Sequence, residues 1–173
     1  MNIFDWTDST KLSRNFSLRE LTKSSTAVRK NIDNSVKDRD VYNYLVKVCK
    51  HILQPIREHY DIPFSPNSGY RCPELNTAIG GSTTSQHCSG QAVDIELPTV
   101  DNEKLFGFIK DNLEFDQVIL EYYNGIDSHS GGVHVSYISP KMNRNRAMTF
   151  DGKNYRIIAV SYTHLTLPTI YSV

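Results

Sequence analysis

The chain lacks a surplus of charge of either sign: 19 Lys and Arg stand against 19 Asp and Glu, for a formal net charge of zero. General nucleic-acid binders usually carry a basic surplus, so that class is disfavoured, although a local patch could still meet an anionic polymer. It also lacks any apolar run long enough to span a bilayer. The opening segment, Met1-Asn-Ile-Phe-Asp-Trp6, has neither the basic start nor the apolar stretch of a secretory signal. Synthesis in the cytoplasm is therefore expected, with any export by another route. Cysteine is scarce and odd in number, at Cys49, Cys72 and Cys88, which does not describe a disulfide scaffold. A Cys72–Cys88 pair stays open, since sequence gives no distance.

What is present fits one domain of 173 residues, long enough to close a core. Ser17-Leu-Arg-Glu20 is a capping-box pattern ahead of Leu21 and predicts a short helix from Ser17. Between Lys37 and Tyr60, apolar residues fall at Val41, Tyr44, Leu45, Val48, Cys49, Ile52, Leu53 and Ile56. That spacing predicts an amphipathic helix packed on a core, kinked or broken at Pro55. Cys49 is read as filler on its apolar face. A helical turn is expected over 73–79 and a helix over 101–113.

Strand patterns follow. Ala92 to Leu97 alternates, with Val93, Ile95 and Leu97 on one face and Asp94 on the other. Phe115 to Tyr122 places Val118, Leu120 and Tyr122 on one face and Gln117, Ile119 and Glu121 on the other. Val133 to Tyr137 opposes His134 and Ser136 to three apolar residues, and Tyr155 to Ala159 is a fourth candidate. The expected fold is α+β: a small, mainly antiparallel sheet with helices on its apolar face. A cleft on the other face would hold Asp94, Glu121 and His134, with His87 entering from the preceding loop.

The chemistry follows from residue types. Two neutral imidazoles, His87 and His134, and one carboxylate, Asp94, make a catalytic zinc ligand set with a position left for water. The net positive charge lowers the pKa of that water and polarises a carbonyl. A peptide hydrolase also needs a base, for which Glu121 is the first candidate and Asp127 the second. Gly90 is expected to allow close approach of the His87 loop to its strand. His51, His59 and His129 are read as structural or surface residues. Cys88 follows His87 directly and is discounted as a ligand. Two histidines and a carboxylate also suit iron for oxygen chemistry. The interval of seven from His87 to Asp94 favours zinc, because the oxygenase arrangement places its carboxylate two residues after the first histidine.

Ser85-x-His87-x-x-Gly90-x-Ala92-x-Asp94 resembles the signature of the M15 family of zinc D,D-carboxypeptidases and endopeptidases. Ser68-Gly-Tyr-Arg71-Cys-Pro-Glu-Leu-Asn76, with Ile79-Gly-Gly following, resembles the block preceding it. Val133-His134-Val-Ser resembles the second-histidine strand. Phe16-Ser-Leu-Arg-Glu-Leu with Ser25-Thr-Ala-Val-Arg29 resembles the N-terminal part of phage and bacterial members. The likeness covers roughly residues 12–140.

The resemblance implies a hedgehog-like fold, one Zn2+ on His87, Asp94 and His134, and hydrolysis of peptide bonds in peptidoglycan stems. It implies that Arg71 binds or polarises substrate, for which a guanidinium offers paired donors; the plain alternative is a surface salt bridge. Ser85 is expected to orient the loop and, with Gln117, to line the substrate site. Some family members carry Glu-x-x-His before the last histidine. Here Gly131, Gly132 and Val133 precede His134, so Glu121, at the end of the preceding strand, takes the role of base as in the hedgehog-type arrangement.

The expected setting is a phage-encoded monomer that lyses the bacterial cell wall. No nucleic-acid partner or membrane insertion is expected. The rival readings are a catalytically inactive zinc-bound wall-binding or phage structural module, and an iron oxygenase. The expected domain spans residues 1–159, with a helical part over about 12–60 and a metal-site core over about 61–159. Val160 to Val173 resembles the conceptual translation of a transposon sequencing adapter read in frame, so His164 is left out of the site.

Overall fold

A computed structural model describes residues 4–160; the adapter-like segment, with His164, lies outside the described residues apart from Val160. The central element is a sheet of order β3-β5-β4-β6-β7, built from Ala92–Ile95 (β3), Gln117–Glu121 (β4), Gly132–Ser136 (β5), Arg146–Phe150 (β6) and Tyr155–Ile158 (β7). All pairings are antiparallel except β4 with β6. The α+β expectation therefore holds. β6 was not anticipated from sequence: Arg-Ala-Met-Thr-Phe has no clear alternation, and only its place between β4 and β7 makes it a strand.

One face of the sheet is closed. Val93, Ile95, Val118, Leu120, Val133, Val135 and Ala147 are buried in the core with residues of the helices. Asn102–Asn112 (α6), capped by the Asp101 carboxylate accepting from the Glu103 N–H, packs Leu105, Phe106 and Ile109 there. The long amphipathic helix also appears, as Arg39–Val48 (α3), a π-helical turn Cys49–Leu53, and Gln54–Tyr60 (α4). Leu45, Val48, Cys49, Ile52, Leu53 and Ile56 are fully buried on it. The break expected at Pro55 takes the form of that π turn immediately before it. Proline has no N–H for the α-helical ladder, and a wider turn upstream accommodates the gap.

The N-terminal part braces the loops behind the site. Lys11–Ser13 (β1) and Phe16–Ser17 (β2) form a short ribbon. Leu18–Thr22 (α1) begins at Ser17, whose N–H donates to Glu20 Oε1 at 3.1 Å, as the capping pattern predicts, and whose hydroxyl also donates to that oxygen at 3.2 Å. Ser25–Arg29 (α2) follows. Tyr70 N–H donates to the Leu21 carbonyl at 2.7 Å. Asn34 donates to the Thr22 and Tyr70 carbonyls and accepts from Cys72 N–H. The backbone on both sides of Arg71 is thus fixed from the N-terminal layer. Pro73–Ala78 (α5) continues from there.

Two details correct the sequence reading. Gly90 does allow a close approach, but to α3: a Cβ there would press on the Val41 carbonyl, and φ is +76°. Tyr122 does not share the apolar face of β4. The strand ends at Glu121, Tyr122 takes φ +55°, and its side chain is 58 % exposed against Phe150. A Cβ at Gly131 would overlap the Glu121 carbonyl, so the loop can close onto the strand end only with glycine there.

Candidate metal centre and active-site cleft

The open face of the sheet carries the site. Asp94 on β3 lies directly opposite His134 on β5, and His134 lies opposite Ile119 on β4. Directly opposed side chains on one face sit about 5 Å apart at Cβ, so the register alone brings a carboxylate to an imidazole. A slip of one residue would send both to opposite faces. His134 Nδ1 stands 3.0 Å from Asp94 Oδ1.

His87 arrives on a tight 3-10 turn, Gln86–Ser89, that Ser85 caps by accepting from the His87 N–H at 3.2 Å. Its ring is buried, with Nδ1 2.8 Å from the Gly69 carbonyl and Nε2 3.3 Å from Asp94 Oδ2. A carbonyl can only accept, so Nδ1 holds a proton, and Nε2, which meets Asp94 in the metal-free site, is the nitrogen that would give up its own proton to offer a lone pair to a cation. Metal-ligating histidines are commonly oriented in this way by a second hydrogen bond. One ligand atom from each of His87, Asp94 and His134 lies within 4.8 Å of the others. The donor set, its spacing and the oriented ring of His87 fit a divalent metal ion.

Asp94 also meets Arg71, whose Nη2 is 3.4 Å from Oδ2. Arg71 is no surface salt bridge: Nε donates to Ser68 Oγ and Nη1 to Asn76 Oδ1, both at 3.2 Å, within the cleft wall. Burial alone would raise the Asp94 carboxyl. The hydrogen bonds and charge of His134 and His87 outweigh it and hold Asp94 well below the usual carboxylate range.

Glu121 closes the same row of residues. It ends β4 opposite Gly132 and lines a cleft of about 490 Å³ shared with Arg71, Ser85, His87, Asp94, Gln117 and His134. Its carboxyl is pushed upward, first by burial and then by the negative charge of Asp94, with His134 acting the other way. Gly132 has no side chain, and across it lies Glu96, whose Oε1 is 3.5 Å from where a Gly132 Cβ would stand.

The second candidate base stands apart. Asp127 is exposed in the loop between β4 and β5, its Oδ1 accepting from the His129 N–H at 3.0 Å. It is not among the residues lining the cleft. His129 is exposed in the same loop, while His51 stacks on Tyr137 and His59 on Phe108. Cys72, Cys88 and Cys49 are free thiols. Burial raises the Cys88 thiol, and Cys72 Sγ accepts from the Leu75 N–H.

Sequence reasoning missed an ion pair at the other end of β4. Asp116, fully buried, accepts from Arg144 Nε at 2.9 Å and Nη2 at 2.7 Å. It also accepts from Gln86 Nε2 at 2.8 Å, beside His87. Arg144 lies in a segment without periodic signal, so only the fold reveals the pair.

A sequence model of the peptidase M15 family matches residues 14–136, which is 123 of the 173 residues. The chain belongs to the peptidase M15 family. The match takes in the His87 turn, β3, β4, the His134 strand and the Arg71 loop. No curated protein matches the chain.

Proposed function

We propose that this M15 protein is a zinc-dependent peptidase that hydrolyses a peptide bond in the stem peptides of bacterial peptidoglycan. The carrying observation is the convergence of His87, Asp94 and His134 within 4.8 Å on the open sheet face, with Glu121 in the same cleft. A zinc ion on these ligands supplies Lewis acidity and brings water toward ionisation near neutral pH.

The chain's own residues do the rest. Glu121, raised by its surroundings, accepts a proton from water as its oxygen bonds to the carbonyl carbon. It returns that proton to the departing amine nitrogen as the C–N bond breaks. Arg71 holds Asp94 in register and, by exchanging one of its present partners, offers a donor to the substrate carbonyl. Ser85 keeps the His87 turn closed, and Gln117 gives the cleft floor an amide for the peptide backbone.

D-Ala-D-Ala, L-Ala-D-Glu and cross-bridge bonds all suit this chemistry. The setting is a phage lytic enzyme acting on the wall as a monomer. Digestion of defined muropeptides, read by mass spectrometry, tests the function. Fragments formed by zinc-loaded wild type and absent with Glu121→Gln are expected. Stoichiometric zinc with intact muropeptides would instead favour a wall-binding or phage structural module, and stoichiometric iron without zinc would favour an oxygenase.

A further inference from the structure

The cleft contains two arginines with different amounts of freedom. Arg71 is committed on Nε, Nη1 and Nη2 to Ser68, Asn76 and Asp94, and its side chain is 14 % exposed. Arg144 has Nε and Nη2 fixed on the buried Asp116, as is its backbone N–H, yet its side chain is 46 % exposed. Its Nη1 has no protein partner among the described residues, and the residue lines the same cleft as Gln117, Glu121 and Tyr155. A guanidinium locked on one edge by a buried carboxylate is pre-organised on the other, so little side-chain entropy is lost when it binds.

Its place in the fold sets the reach. Arg144 N–H and the Arg146 N–H both meet Asp116, and Gln117 pairs with Arg146 across β4 and β6. Gln117 is two residues along β4 from Ile119, the cross-strand neighbour of His134, roughly 7 Å at strand rise. An extended peptide advances by the same rise, so a group held there belongs to a residue about two positions from the bond cut at the metal centre. Glu121 and Tyr155 mark the opposite end, since Tyr155 pairs with Phe150 and Phe150 with Glu121.

We infer that Arg144 is a specificity residue that recognises a carboxylate of the substrate peptide about two residues from the scissile bond. The inference rests on the peptidase reading above. A residue serving only to neutralise Asp116 would affect acid and amide substrates alike, whereas recognition discriminates between them. The free Nη1 supplies one charge-assisted hydrogen bond, which corresponds to roughly ten- to hundredfold in affinity.

The test compares a muramyl pentapeptide with free carboxylates against the same peptide with every carboxylate as the amide. Binding to metal-free protein is followed by NMR, KM and kcat are measured on zinc-loaded protein, and thermal unfolding is recorded for each variant. Wild type is expected to bind the acid roughly ten- to hundredfold more tightly than the amide. Arg144→Gln should lose that preference, with the ratio of KM for the amide to KM for the acid falling toward one. Arg144→Lys, which keeps a positive charge for Asp116, should fold like wild type and retain only part of the preference.

Equal affinity of wild type for acid and amide would overturn the inference while leaving the peptidase reading intact. So would a preference that survives in Arg144→Lys and Arg144→Gln, or a loss shared equally by both peptides. Failure of wild type to cut purified wall would overturn the peptidase reading and this inference with it.

Discussion

Strands β3 and β4 flank His134 from either side, and each contributes one carboxylate to the same face, yet the two carboxylates are set in opposite directions. Asp94 is held down by two imidazoles, with Arg71 beside it. Glu121 is raised by burial and by Asp94 itself. Environments that push two nearby acids apart assign them different work: the ionised one suits a cation, and the raised one suits proton transfer. On the function proposed above, the β3 side would hold the metal and the β4 side would carry the proton transfer.

Removing the β3 side should have the largest effect. Asp94→Ala or His134→Ala is expected to abolish stoichiometric zinc binding, measured by metal analysis after dialysis, and peptidase activity with it. On the β4 side, Glu121→Gln should keep zinc at wild-type stoichiometry and lower kcat by roughly 10² to 10⁴. Glu96→Gln, across Gly132, sharpens the comparison: a rate close to wild type is expected, and a loss matching that of Glu121→Gln would bring the residue just after β3 into the proton transfer.

The closed face of the sheet provides a contrast in kind. Leu120→Ala, next to Glu121 but pointing into the core, should cost about 2–5 kcal/mol of stability in denaturant unfolding. It should leave zinc stoichiometry unchanged in the folded fraction.

The ion pair at the far end of β4 predicts a pH effect. Burial opposes ionisation of Asp116, but Arg144 and Gln86 outweigh it and lower the carboxyl to about 2. A carboxyl lowered on folding stabilises the protein above its unfolded value and loses that contribution as pH falls. Stability should therefore drop between about pH 4 and pH 2, by on the order of 2 kcal/mol. Asp116→Asn should remove that component, as measured by urea unfolding across the range.

Glu121 has the reverse sign. Its raised carboxyl contributes stability at low pH that is lost as pH rises. Metal-free Glu121→Gln should therefore melt slightly higher than metal-free wild type at neutral pH.

Much of this site was legible in the sequence because it is local or strictly periodic. The Ser85–Asp94 spacing, the alternation around Asp94, Glu121 and His134, and the Ser17 cap each lie within a few residues and reappear as read. What was not legible depends on distant pairing. β6 is a strand because β4 and β7 flank it, Gly90 is small because α3 passes there, and Asp116 meets Arg144 only through the fold. Tyr122 was assigned to the wrong face because alternation cannot show where a strand stops, and its left-handed backbone turns it outward.

The most direct test of the two-sided account is the titration of Asp94 and Glu121 in metal-free protein by carboxyl-selective NMR. Asp94 is expected to remain ionised well below the usual aspartate range, and Glu121 to take up its proton above the ordinary glutamate value of 4.5. Two carboxyls titrating together at ordinary values, or in the opposite order, would contradict the division of ligand and base between β3 and β4.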